Sequence, residues 1–301
     1  AASVTGGALA AEIAALGGHV SATAGREMTA LTASVAKKDV PAAMAVLAKM
    51  AAGPVDAKAA EDCHAAALAT AEDSTLNYEG NLQEQLHEAA FLDTPLGLPI
   101  DGTPESLSKL TAADLAAYKK SLFTGGRMCV VGAGAVSHSE LSKLSEQLLG
   151  AVPAADAAAV DFPMAPAVFT GSDKRIRFDS MPTATVALAF ATPGAGEASA
   201  DALKVMQMCL GSWDARGATG ANSAFKLGRE FGEHGIGLSY NCFNHTYKDA
   251  GLFGIELTAK DVNLEDTIWY TLDNLVRLCH NISEEEVARA KEFVKTHILG
   301  A

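Results

Sequence analysis

An order of elements written twice constrains this chain more than any other feature. Val20, Ala22 and Ala24 alternate with Ser21 and Thr23, Arg26-Glu27 turn the chain, and Thr29, Leu31, Ala33 and Val35 alternate on the return. That period of two predicts a hairpin of half-buried antiparallel strands. Lys38-Asp39-Val40-Pro41 then leads into a helix through Met44, Leu47, Ala48 and Ala51, which Gly53-Pro54 stops. Asp56 is placed to cap an alanine-rich second helix running towards Leu76. The second half repeats the grammar. Leu238, Tyr240 and Cys242 alternate, His245 to Asp249 turn the chain, and Leu252 to Thr258 return. Lys260-Asp261-Val262 leads into a helix through Ile268, Leu272, Leu275 and Leu278, and another helix begins after Ser283. Strand-strand-helix-helix is a common order, and a three-residue match alone is weak. Order and motif together read as a duplicated unit, hence two similar lobes. The alanine- and proline-rich stretch from Ala151 to Pro166 reads as the linker, giving domains 1–155 and 156–301.

The remaining elements fit around this frame. Asn77 to Gly80 reads as a break, after which Leu82, Leu86 and Phe91 resume a helix. Three helix starts carry a hydroxyl followed three residues later by a carboxylate: Thr111 with Asp114, Ser137 with Glu140, and Ser283 with Glu286. The hydroxyl accepts from an orphan backbone N–H and the carboxylate reaches back to the cap residue's own N–H. Val136 with Leu141, and Ile282 with Val287, are spaced as hydrophobic staples. Ile176 with Phe178, and Val186, Leu188 with Phe190, predict two more strands, and Ser199 to Leu210 a helix closed by Gly211.

Composition narrows the function classes. With 23 basic and 36 acidic residues the net charge is −13, which argues against tracking a phosphate backbone. Such a surface suits a basic partner or is simply well solvated. Five cysteines without a CxxC pair predict buried thiols rather than a disulfide frame or a zinc knuckle. No apolar run reaches the roughly 18 residues that span a bilayer, and no signal-peptide pattern opens the chain. Both termini read as cut, since the chain opens in a small-residue run and stops directly after a helical pattern.

Few constellations carry chemistry. Val130-Val131-Gly132-Ala133-Gly134-Ala135-Val136-Ser137 reads as a strand, glycines and a helix. Ser137 occupies the third glycine position of a dinucleotide fingerprint and serves better as a cap. Gly211 to Gly220 lacks the Gly-Lys-Ser/Thr ending of a phosphate-cradling loop, and composition leaves open a functional flexible loop or a plain connector. None of the eight histidines stands four residues from another, so no helix face offers a His-x-x-x-His pair. A Gly-x-Ser-x-Gly elbow is also absent. The acidic groups Asp56/Glu61/Asp62 and Glu72/Asp73 read as solvated faces, and Glu284/Glu285/Glu286 suit a helix N-terminus.

Several runs carry a resemblance. They are Leu9 to Thr23 with Arg26-Glu27, Leu86-His87-Glu88-Ala89-Ala90-Phe91 with Thr94-Pro95-Leu96-Gly97, Ile100 to Glu105, Gly134 to Leu141, Trp213-Asp214, Asn244 to Gly254, and Glu286 to Lys291. Together they resemble the pitrilysin-type (mitochondrial processing peptidase-like) family over nearly the whole chain. The branch they most resemble holds the processing peptidase beta subunit and core protein 1 of the cytochrome bc1 complex. The resemblance implies an α+β fold of two homologous lobes, each an antiparallel β-sheet packed with α-helices (the LuxS/MPP-like metallohydrolase fold), with N- and C-terminal parts missing. Active members use a His-x-x-Glu-His motif for two zinc ligands and the general base; its family position falls just before Ala1. Counting without gaps from Leu16-Gly17 and Arg26-Glu27 puts the third ligand at Ala71, which has no lone pair to give a metal, with Glu72 one residue on.

The resemblance therefore implies no catalytic, cofactor-binding or metal residue, and lost zinc chemistry. It implies a core 1-type structural subunit of ubiquinol–cytochrome c reductase (complex III), peripheral to the mitochondrial inner membrane on the matrix side. Its partners would be a core 2/alpha-type paralogue, cytochrome b, cytochrome c1 and other complex III subunits. The alternatives are a zinc-dependent processing peptidase beta subunit cleaving basic presequence peptides, or a scaffold subunit of another respiratory complex. No haem or iron–sulfur ligand pattern is present in the chain.

Overall fold

The computed structural model describes residues 7–76, 81–154, 166–217 and 219–300. The expected break at Asn77 to Gly80 and most of the expected linker lie outside them. By packing, the chain divides into two compact units, Ala1–Leu76 with Pro99–Met164, and Asn77–Leu98 with Ala165–Ala301. This differs from a simple cut at 155/156, because the segment 77–98 belongs with the second unit.

The first unit opens with α1 (Gly7–Ala15), then β1 (His19–Ala24) and β2 (Thr29–Ser34). The strands pair antiparallel from His19↔Ser34 to Ala24↔Thr29, and the Gly25 N–H donates to Met28 O at 2.8 Å across the turn. A single 3-10 turn, Lys37–Asp39, precedes α2 (Val40–Ala52), with Pro41 in its first turn where a missing N–H costs nothing. Gly53 ends α2, and Lys119 donates to the freed carbonyls of Met50 and Gly53 at 2.9 and 2.7 Å. α3 (Ala57–Leu76) begins where Asp56 accepts from the Lys58 N–H at 3.1 Å. After α5 (Pro104–Leu107) and α6 (Ala112–Leu122), α7 (His138–Leu149) packs against α2. The unit's buried apolar residues include Ala43, Met44, Val46, Ala48 and Ala71, most of them small.

The second unit holds α4 (Leu82–Ala90), β3 (Thr183–Thr192), α8 (Ala200–Leu210), β4 (Ser212–Asp214) and α9 (Lys226–His234). It continues with β5 (Gly237–Thr246), β6 (Gly251–Lys260), a 3-10 turn Asp261–Asn263, α10 (Leu264–His280) and α11 (Glu284–Leu299). The sheet order is β3-β6-β5-β4, antiparallel throughout. One face carries the rows Val186–Leu257–Tyr240–Trp213 and Leu188–Ile255–Cys242. Trp213, Tyr240, Cys242, Ile255 and Leu257 join Leu210, Leu227, Phe231, Leu278 and Ala290 from the helices in one core. Phe231 sits edge-on to Trp213 and Tyr240, at centroid distances of 6.1 and 5.5 Å.

Each unit thus runs helix, hairpin, 3-10 turn, helix, helix, and the glycine before each hairpin is left-handed, Gly17 at φ 60° and Gly235 at φ 64°. The duplicated grammar is physical. All three anticipated capping boxes form, and a fourth joins Thr103 with Ser106.

Two expected strands do not form. Residues 128–133 and 174–178 are without regular structure, and Val131 is 83% exposed. The apolar pair Val130-Val131 and the alternation of Ile176 with Phe178 suit strands, yet no neighbouring described backbone offers them a ladder, and a strand exists only by its ladder. The expectation of buried thiols holds only for Cys209 and Cys242; Cys63, Cys129 and Cys279 are exposed. Burial raises both buried thiols, Cys242 well above the ordinary cysteine range, which keeps them protonated. Among the described residues no single helix is long and apolar enough to cross a membrane.

Candidate functional site

The position to which the resemblance assigns a metal ligand lies in α3. Ala71 is only 2% exposed, so its methyl group faces the unit's interior, while Glu72 is exposed. One residue along a helix turns the side chain by about 100°, which puts the Glu72 carboxylate on a different face. Of these two positions, the inward one has no donor atom, and the adjacent carboxylate does not share its face. No group of three or more histidine, cysteine, aspartate or glutamate residues could hold a metal among the described residues.

The second unit holds a buried polar network that sequence reading did not mark as a site. His87 on α4 is 3% exposed. Its Nδ1 lies 2.6 Å from Gln83 O, a carbonyl that can only accept, so Nδ1 carries the proton. Nε2 then accepts, and the Tyr247 hydroxyl donates to it at 2.6 Å. Gln83 continues the chain, accepting at Oε1 from His245 Nε2 at 3.0 Å and donating from Nε2 to the Glu256 carboxylate at 2.8 Å. The His245 ring stacks on Phe243, at a 25° interplanar angle and 5.1 Å between centroids.

These bonds fasten α4 to the sheet face opposite the main core. Phe91, Leu96, Phe243 and Leu252 bury a second apolar cluster beneath it. The chain after residue 165 completes the clamp. The Thr170 N–H donates to Ala90 O at 2.7 Å, the Ser172 hydroxyl to Ala89 O at 2.7 Å, and Lys174 pairs with Glu88 at 2.9 Å. His87 is too enclosed to meet a substrate, so the network acts in positioning. Its only sequence signal was its presence inside two family-like runs, because its members stand about 160 residues apart.

On the same sheet face, two polar rows cross all four strands: Thr185–Thr258–Ser239–Asp214 and Ala187–Glu256–Asn241–Ser212. They floor two shallow clefts of about 420 and 410 Å³. Arg216 grips Asp214 at 2.6 Å, and that hydrogen bond, more than any other influence, holds the Asp214 carboxyl at about 2. The described residues of the glycine-rich segment 211–220 edge the clefts. The Trp213 indole donates to Gly220 O at 3.0 Å, and a Cβ on Gly211 would meet the Phe225 ring at 2.3 Å. The clefts offer hydroxyls, an amide and one carboxylate free of a cation. Their lining has no histidine or thiol to activate Ser212 or Ser239.

Comparison with known proteins decides the family. Residues 2–104 match the model described as insulinase (peptidase family M16), and residues 109–294 match the peptidase M16 inactive domain. The chain belongs to peptidase family M16. Curated relatives in that family include mitochondrial-processing peptidase subunit beta of Blastocladiella emersonii, 39% identical over 96% of this chain and 62% of the relative. The corresponding Bos taurus and Lentinula edodes subunits are 30% and 32% identical, over 59% and 64% of their own lengths. The chain thus spans about three fifths of the relatives it matches. A chain of complex III2 from Candida albicans, with Inz-5 bound, shares the fold at a TM-score of 0.84 and 24% identity, over 97% of this chain and 72% of that one. The M16 fold accounts for both the α+β architecture and the repeat.

Proposed function

We propose that this M16 chain is a non-catalytic, core 1-type subunit of the mitochondrial ubiquinol–cytochrome c reductase, on the matrix side of the inner membrane. Its work is interface: it pairs with a core 2/alpha-type paralogue and contacts cytochrome b, cytochrome c1 and other complex III subunits. The observation that carries this reading is Ala71, a buried methyl where an M16 metallopeptidase needs an inward carboxylate. The likeness of fold to a complex III chain supports the choice of assembly. A second reading, the catalytic processing peptidase beta subunit, is favoured by the names of the relatives. There the −13 charge would draw basic presequences.

Native mass and subunit content of the assembly separate the two. The structural reading expects a membrane-bound complex of many subunits carrying haem b and haem c, with no tightly held zinc on this chain. A soluble two-chain species with one zinc per copy would overturn it. A many-subunit complex without haem would leave a scaffold of another respiratory complex.

A further inference from the structure

We infer that the outward stripe of α10 docks an amphipathic helix, not contained in these 301 residues, whose apolar face is flanked by lysine or arginine. α10 faces inward through Thr267, Thr271 and Asn274, all fully buried, with Leu278 among the core residues. Its outward face is apolar: Trp269 is 60% exposed, Leu272 43% and Val276 59%. Spacing of three and four residues sets these side chains in one stripe, and a tryptophan at its head is the residue type that most often anchors an interface. Isolated exposed apolar side chains are ordinary, but an aligned row on a helix whose opposite face is already buried points to a partner.

The fold itself indicates what kind of partner. α2 is the counterpart of α10 in the first unit, since each follows the hairpin, a Lys-Asp-Val step and a 3-10 turn. α2 is covered by α7, a helix with leucines at 141, 144 and 148 and polar residues between. Among the described residues of the second unit, α10 has no such cover. Charge adds direction. At about 100° per residue, Asp266 and Asp273 run along one flank of the stripe and Glu265 lies one turn before Trp269, all three exposed. Arg277, the nearest cation on the helix, is already engaged by Glu286 at 2.9 Å. A basic flank on the incoming helix would complement these carboxylates, whereas an anionic lipid surface would be repelled.

The chain has two tryptophans, and Trp213 is buried, so the emission that responds to an added partner comes from Trp269. The test is a fluorescence titration with two synthetic amphipathic helices that share an apolar stripe, one flanked by lysines and one by glutamates. The lysine peptide is expected to shift the emission to the blue and to protect Trp269 from acrylamide, with the glutamate peptide at least tenfold weaker. Trp269→Phe should abolish the signal, and Leu272→Asp should weaken binding tenfold or more. The double variant Asp266→Lys/Asp273→Lys should reverse the peptide preference. Equal binding of the two peptides, or no response to the lysine peptide, overturns the inference. So does protection of Trp269 by raised protein concentration alone, or by neutral phosphatidylcholine vesicles, since these indicate a second copy or a membrane.

Discussion

The two hairpins of this chain occupy the same place in the same order of elements, and they differ in almost everything that tertiary packing supplies. β1 and β2 run six residues each, pair only with one another among the described residues, and bury no side chain fully. β5 and β6 run ten residues each inside a four-stranded sheet, and β6 is buried along most of its length. The first is mostly alanine, serine and threonine; the second carries Tyr240, Phe243, Phe253, Ile255 and Leu257. Local signals therefore set where strands and helices begin, and the depth of burial is set by the neighbours a strand finds. A two-stranded ribbon is marginal in water, so the first hairpin depends on the helices beside it.

The largest effect that could break this contrast is in the cores. Phe231→Ala removes a fully buried ring from between Trp213 and Tyr240 and is expected to cost about 3–5 kcal/mol. Val46→Ala, at one of the best-buried positions of the first unit, loses two methyl groups and about 1–2 kcal/mol. Urea unfolding followed by circular dichroism measures both. Equal losses would mean that the first unit's core is packed as tightly as the second's.

The clamp on α4 sharpens the contrast, because the described residues of the first unit hold no equivalent of the His87–Tyr247 pair. Tyr247→Phe leaves the buried His87 Nε2 without its donor, at an expected cost of about 1–3 kcal/mol. Amide exchange should accelerate across 82–90 and leave α2 and α3 unchanged. Acceleration spread evenly over both units would remove the network's local role.

How much of this was legible in the sequence follows the same division. Helix starts at Thr111, Ser137 and Ser283 were readable because a capping box lies within four residues and needs no distant partner. The repeat was readable because it is an order of such local signals. Ile176 and Phe178 were misread as a strand because alternation reports a side-chain pattern and says nothing of a pairing edge. His87 and Tyr247 are joined only by the fold, and the polar rows over Glu256 and Asp214 exist only once four strands are in register. At Ala71 a count along the chain marks the position, but only the helix shows that its methyl points inward and that Glu72 points elsewhere.

The smallest expected effect concerns the caps, where the units should behave alike at neutral pH and part company in acid. Ser137→Ala and Ser283→Ala should each cost about 1 kcal/mol, since both remove one hydroxyl from one helix start. Their carboxylate partners differ in setting. Glu140 is held below the ordinary glutamate value of 4.5 chiefly by its backbone hydrogen bond with Ser137. For Glu286, partial burial pushes the carboxyl up, but the bond from Arg277 and those with Ser283 outweigh it and leave the value lowered. A carboxylate whose folded value is depressed stabilises the fold above its unfolded value, and that contribution disappears as pH falls through the folded one. Both caps should therefore hold near pH 6 and weaken below 4.5. The Arg277–Glu286 pair is only 15% and 17% exposed, so protonating Glu286 also strands a partly enclosed guanidinium, whereas exposed Glu140 has the bonds with its serine and a weaker attraction to Lys37. Thermal unfolding of Glu286→Gln and Glu140→Gln between pH 6 and pH 3 should show the larger loss of pH dependence for Glu286→Gln. If the two variants flatten the acid limb equally, the added weight given to the Arg277 pair is wrong, and the second unit's advantage lies in apolar burial alone.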